Sequence, residues 1–282
     1  MTFLRRLALS CIFFLAPASL GASGLTPLTD RTDILGWEAV GRIDIGGKGY
    51  CTGVLIASDL VLTAAHCVFD SETSLLRDAG SFSFAAGYQD GQAIETRAVQ
   101  QVVAHANYKA ALGPITSNIR HDVALLKLAE PISTFTAAPF AIHSGIAPGN
   151  SVSVVSYGKG RDDVMSWQKQ CDVLGRGAGL IAFNCDVTFG SSGAPVFVKE
   201  GNRARIVSLV SSGRNADGDV VAFGMDLPAN IAHLKRTLRV LPRYSNTATS
   251  TTTRANAPTG ITRISVGFDR KSTSAKFVKS GN

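Results

Sequence analysis

From residue 37 onward the chain is a succession of short apolar or alternating runs broken by Gly, Asp and Ser. In order they are "AVGRIDI", "GVLIA", "LVLTAAH", "SFSFAAGY", "VALLKL", "SVSVVSY", "APVFVK", "IVSLVSS" and "VVAFGM". Runs this short, rich in Val, Ile and Phe and spaced near ten residues apart, predict an all-β chain of the barrel or sandwich kind. One segment breaks the pattern. "PANIAHLKRTLRVL", near residues 228 to 241, has Pro at its start and Lys and Arg in its last turns, which predicts a C-terminal helix. No repeat with a period of 20 to 50 residues is found.

The two ends of the chain follow other rules. Met1 to Arg6 carries two positive charges ahead of "LALSCIFFLAPASLGA", the charged head, short apolar core and small-residue exit of a secretory signal peptide. Residues 1–22 are assigned to it, with cleavage after Ala18 or Ala22. The polar "LTPLTDRTDILG" then reads as an irregular lead-in or short propeptide over residues 23–36. Beyond Ser245, "SNTATSTTTRANAPTG" lacks any large apolar residue and cannot offset the entropy of ordering, so residues 243–282 read as a Ser/Thr-rich basic tail. Its last segment, "ITRISVGF", does alternate and could dock as a strand.

Composition narrows the partners. With 282 residues and 45% hydrophobic positions, the chain can bury a substantial core. The net charge of +7 suggests nucleic acid at first sight, but the tail holds seven Lys or Arg against Asp269, and Arg5 and Arg6 leave with the signal. The body is left near −1, which argues against a nucleic-acid partner. The tail alone offers weak attachment to an anionic surface, against the plainer reading of a solvated extension. After the signal no stretch reaches the ~18 apolar residues of a membrane span, so a secreted or periplasmic chain is expected.

Four cysteines remain in the mature chain, Cys51, Cys67, Cys171 and Cys185. An even number in an exported protein predicts two disulfides. Three pairings are formally open; the spacing, two close pairs far from each other, favours Cys51 with Cys67 and Cys171 with Cys185. No CxxC pair or HExxH segment occurs, so neither a metal nor any other cofactor is expected.

Three segments carry residues suited to nucleophilic catalysis. "VLTAAHC" holds His66, "HDVALLKL" holds Asp122 at the head of an apolar run, and "CDVTFGSSGAPVF" holds Ser192 between Gly190 and Gly193. Hydrolysis by a serine needs a base beside the hydroxyl, a carboxylate to orient the base, and donors aimed at the developing oxyanion. The two glycines permit positive φ and close backbone approach, so the N–H groups of Gly190 and Ser192 can point at one spot. Any one of these residues alone is more often structural. His105 and His121, the latter directly before Asp122, read as solvent-facing or satisfied by a backbone carbonyl, and His143 and His233 carry no signal.

Together, "CTGVLIASDLVLTAAHC", "HDVALLKL" and "GSSGAP" resemble the three signature segments of the trypsin and chymotrypsin-like serine peptidases, in the order His, Asp, Ser. Within that family the chain is most similar to the secreted bacterial branch that includes glutamyl endopeptidases. The resemblance covers roughly residues 37 to 240. It implies two antiparallel six-stranded β-barrels, residues 37–130 and residues 131–242 with the terminal helix, and an active site in the cleft between them. It also implies a serine endopeptidase acting on proteins or peptides, with His66, Asp122 and Ser192 as catalytic triad and Gly190 and Ser192 as oxyanion hole. The other reading is a catalytically silent homologue that serves as a secreted binding or adhesion module on the same fold.

The chain departs from the pattern in places. The digestive enzymes of the family have an aspartate before the serine, paired with a new N-terminus; here Ser191 stands there, so "DILGWEAVG" is not expected to act as an activation segment. Cys185 lies seven residues before Ser192, where the mammalian branch has four. Asp186, six residues before Ser192, sits at the offset of a carboxylate selecting Arg or Lys, or else caps the loop. By resemblance "VSSG" would line the substrate pocket with Ser211 and Gly213, and Ser212 replaces a frequent Trp on that wall.

Overall fold

The computed structural model describes residues 24–201, 203–216 and 219–241. The expected signal peptide and the tail from residue 243, with "ITRISVGF", lie outside the described residues.

A short β1 (Leu25–Pro27) precedes β2 (Val40–Ile45), β3 (Tyr50–Ala57), β4 (Leu60–Thr63), β5 (Phe82–Ala86), β6 (Glu95–Ala104) and β7 (Ala124–Leu128). The last six close into a barrel in the order β2-β3-β4-β7-β6-β5, every pairing antiparallel. The period-two pattern explains which way the strands face. Along β5, Phe82, Phe84 and Ala86 are buried while Ser83 and Ala85 between them are half-exposed. With Ile43, Leu55, Val61, Leu126 and Leu128 they fill the interior. Closure removes every free strand edge from this half.

The second half comprises β8 (Ser151–Gly158), β9 (Arg161–Gly177), β10 (Leu180–Phe183), β11 (Pro195–Glu200), β12 (Arg203–Leu209), β13 (Ser212–Ala216) and β14 (Asp219–Met225). Pairing runs β12-β11-β8-β9-β10-β14-β13. Only Val210 and Ser211 separate β12 from β13, so the ends of this path are halves of one bent stretch. Leu209 still pairs with Pro195 of β11, and Ser212 already pairs with Phe223 of β14. The sheet therefore curls into a half-barrel whose two ends meet at this bend without pairing to each other, where the resemblance implies a second closed six-stranded barrel.

A shared core joins the halves. Val54, Leu62 and Leu125 from the first pack with Val155, Tyr157, Phe197 and Leu209 from the second. A short α1 (Thr116–Ile119) precedes β7, and α2 (Pro228–Val240) adds Ile231 and Leu234 to this core. The connection after β7 is tied to both sides, with Phe140 N–H donating to Leu55 O and His143 N–H to Ile206 O, 2.9 and 2.8 Å.

The lead-in holds one short strand followed by turns, and it is docked on the second half. β1 pairs antiparallel with β9 over Gln168 to Ser166, Leu28 N–H bonds Met165 O, and Leu28 and Ile34 are buried. Trp37 then packs against Phe140, Trp167 and Phe197, with ring centroids 5.9, 5.2 and 5.1 Å apart. A few apolar residues at irregular spacing carry this docking, which is why no periodicity announced it.

Candidate active site

His66 lies on a 3-10 turn, Ala65–Val68, directly after β4, and Cys67 beside it is bonded to Cys51 of β3. Asp122 follows α1 and heads β7, the strand paired with β4. Barrel closure thus brings together two residues 56 positions apart: His66 Nδ1 lies 2.7 Å from Asp122 Oδ2, and the His66 main-chain N–H donates to Asp122 Oδ1 at 2.8 Å. Ser211, in the bend between β12 and β13, donates its hydroxyl to the same Oδ2. Asp122 is only 3% exposed. Burial on its own would lower the His66 pKa, but the charge and hydrogen bond of Asp122 outweigh it and raise the value above 6.5.

Ser192 comes from the other half, on the turn between β10 and β11. Gly190 and Gly193 have φ of +88° and +76°, and a Cβ would meet the Tyr50 ring at 2.4 Å or Thr63 Oγ1 at 2.2 Å. Only glycine fits either place. The turn's amides divide in two. Ser191 N–H donates to Thr188 O and Gly193 N–H to Val210 O, whereas those of Gly190 and Ser192 have no acceptor among the described residues. Their orientation is held from behind. Phe189 O accepts from Lys159 N–H and Ser191 O from Ala194 N–H. Carbonyl and N–H of a trans peptide point oppositely, so the Gly190 and Ser192 donors face away from these anchors.

Beneath this turn lies Arg161, which nothing in "KGRDD" marks because its partner on the turn is thirty residues away. Nη1 donates to Ser156 O at 2.8 Å and Nη2 to the hydroxyls of Ser156 and Ser191 at 3.1 and 3.3 Å. Burial lowers its pKa while Asp186 and Tyr50 act the other way; a guanidinium stays charged regardless. The fully buried Ser191 is thus held by a cation's hydrogen bond rather than by an ion pair.

His66 and Ser192 border two adjoining cavities of about 730 and 410 Å³. The Ser192 hydroxyl has no hydrogen bond among the described residues; catalytic hydrogen bonds commonly tighten only with substrate in place. The larger cavity is walled by Val187, Thr188, Val210, Ser211, Gly213 and Arg214, among others. Asp186 does not border either cavity. Its N–H donates to Gln168 Oε1 at 2.7 Å and its charge acts on Arg161, so of the two places its offset allows, pocket floor or loop cap, these contacts suit the loop. Arg214, which no motif singles out, borders the cavity and stacks over the Phe223 ring.

Cys171 and Cys185 form the second disulfide, between β9 and the segment leading to the Ser192 turn. Cys51 Sγ, Cys67 Sγ and a His66 ring nitrogen lie within 4.8 Å of one another. The two sulfurs are bonded together and offer no thiolate to a metal.

A sequence model described as a trypsin-like peptidase domain matches residues 51–206, more than half of the chain. The chain belongs to the trypsin-like peptidases. Among curated relatives, glutamyl endopeptidase of Bacillus licheniformis is 26% identical over 185 residues, 65% of this chain and 56% of that protein. Serine protease 56 of Mus musculus is 28% identical over 197 residues, 61% of this chain and 31% of that protein. The trypsin-like chain thus spans from under a third to just over half of these relatives' lengths. A solved Glu endopeptidase in complex with MPD shares the fold, with TM-score 0.64 and 21% identity over 78% of this chain and 99% of that one. So does a thermostable serine protease from an extremophilic microorganism, with TM-score 0.59 and 20% identity over 71% and 96%.

Proposed function

We propose that this trypsin-like chain is a secreted or periplasmic serine endopeptidase working through an acyl-enzyme. The observation that carries the reading is the His66–Asp122 couple beside Ser192, with two unpaired amides on the serine's own turn. Ser192 Oγ attacks the scissile carbonyl and its proton passes to His66 Nε2. Asp122 accepts from Nδ1–H, which fixes the tautomer and stabilises the imidazolium. Oxygen charge in the tetrahedral intermediate meets the Gly190 and Ser192 N–H groups. His66 then protonates the leaving amine, and a water activated by the same base releases the acyl group. Family membership and the two disulfides support an exported hydrolase of peptides. On the acyl side, Arg214 and the absence of Asp186 from the cavity wall favour acidic or neutral side chains over Lys and Arg.

The test is labelling of the purified protein by a fluorophosphonate probe, wild type beside Ser192→Ala. Labelling of the wild type alone is expected. Absence of labelling in both favours the silent binding module.

A further inference from the structure

The two cavities share His66, Phe69, Ser71, Phe189 and Ser192, so they are the two sides of one nucleophile. The larger contains the start of β13, which ends its strand path and leaves one edge unpaired. An extended acyl segment can add there as a further strand. The smaller cavity lies on the other side of Ser192 and receives what leaves.

That smaller cavity is bordered by Lys48, Arg77 and Lys159 and by no carboxylate. Arg77 is held by Asp70 at 2.8 Å. Lys48 and Lys159 have no ion-pair partner among the described residues. They come from separate halves of the fold, Lys48 from the β2–β3 turn and Lys159 from the β8–β9 turn. Lys159 is further fixed at the site, since its main-chain N–H bonds Phe189 O on the nucleophile's turn at 2.6 Å. Asp162 and Asp163 border neither cavity: Asp163 faces Arg42 at 3.8 Å, and both carboxylates act on Tyr50 at the cavity's edge.

We propose that the leaving-group side of the cleft is a subsite for acidic side chains, so that bonds followed closely by Asp or Glu are cleaved in preference. This rests on the serine-peptidase reading and adds a substrate class to it. Each exposed pairing is worth roughly 1.5- to 5-fold, and it weakens with salt.

Internally quenched peptides with a randomised acyl side and Glu, Gln or Lys in both of the first two leaving-group positions provide the test. The expected order of kcat/KM is Glu, Gln, Lys, with about five- to tenfold between extremes at low salt and less at roughly 0.5 M salt. Lys159→Gln should narrow the spread, and the double variant Lys48→Glu, Lys159→Glu should invert it, with melting temperature reporting the fold. Equal rates for the three peptides, or a Glu preference that survives in both variants, overturns the inference. If the wild type is also not labelled by fluorophosphonate, the peptidase reading fails and takes the subsite with it. If it is labelled and cleaves all three alike, only the subsite is lost.

Discussion

Ser211 donates its hydroxyl to Asp122 Oδ2, the oxygen that also faces His66 Nδ1 at 2.7 Å. Resemblance places Ser211 on the substrate wall, and it does border the cleft, but its hydroxyl is committed to the carboxylate. Ser211→Ala would leave Asp122 with the two His66 donors alone. A hydrogen bond to a charged group contributes ~1.5–3 kcal/mol, so kcat/KM should fall by about tenfold or more. An unchanged kcat/KM would show that the hydroxyl does not help to hold the carboxylate in its working position.

If Ser192 works as proposed, acidification should abolish hydrolysis through His66. Its pKa is raised above 6.5, because Asp122 outweighs burial, so the acid limb of kcat/KM should lie above pH 6.5. Asp122→Asn removes the raising influence and leaves burial, which moves the limb to lower pH while the rate drops by about 10⁴, the usual cost of amidating the orienting carboxylate. The same group has a stability effect of fixed sign. A raised folded pKa stabilises fully below ~6.5, and the contribution is lost as pH rises through the folded value. A limb at or below 6.5 in the wild type would contradict the couple.

Gly193→Ala should abolish probe labelling. Two costs coincide there: a positive φ of +76° and a Cβ placed 2.2 Å from Thr63 Oγ1 and 2.4 Å from Thr52 O. Gly36 separates them, since it has φ +86° with nothing within 4 Å of a Cβ. Gly36→Ala should lose only the ~1–3 kcal/mol of backbone strain and keep its labelling, as read by urea denaturation beside the probe assay. Equal behaviour of the two variants would mean that close contact at the nucleophile's turn is unimportant.

What the sequence reveals follows the range of the interactions involved. The α2 helix is legible because Pro228 and the basic last turn are local signals. "SFSFAAGY" is legible because one face of β5 is buried in the barrel interior and the other is half-exposed. β9 is not, since its 17 residues, "RDDVMSWQKQCDVLGRG", interleave charges with buried positions and its pairing with β8 shifts register twice. β6 begins with the half-buried charges Glu95 and Arg97 and the exposed Thr96 and Ala98, and it also escapes the pattern. At the site, the segments single out His66, Asp122 and Ser192 by their neighbours, but nothing local encodes Arg161 under Ser191 or Lys159 against Phe189. Those contacts exist only once two hairpins have met.

The histidines outside the cleft should govern acid stability. His105 stacks on His121 with centroids 4.5 Å apart and planes 17° from parallel, and His233 of α2 lies 4.9 Å from the same ring. Burial pushes the His105 pKa down to about 4, with His121 and His233 acting in the same sense. His121 is lowered as well, by burial and by Arg120. A depressed folded pKa means that the unfolded chain binds more protons between ~6.5 and about 4. Stability is therefore full above 6.5 and is lost as pH falls through that window. The urea midpoint should drop from pH 6.5 to 4, and His105→Phe, which keeps a ring in the stack, should shrink the drop without abolishing it, because His121 still titrates. His121 immediately precedes Asp122, so loss of this stack should also loosen the carboxylate that orients His66, and probe labelling at pH 7 after brief acid exposure reports whether it re-forms. An identical pH dependence in wild type and His105→Phe would assign the acid loss to the carboxylates instead.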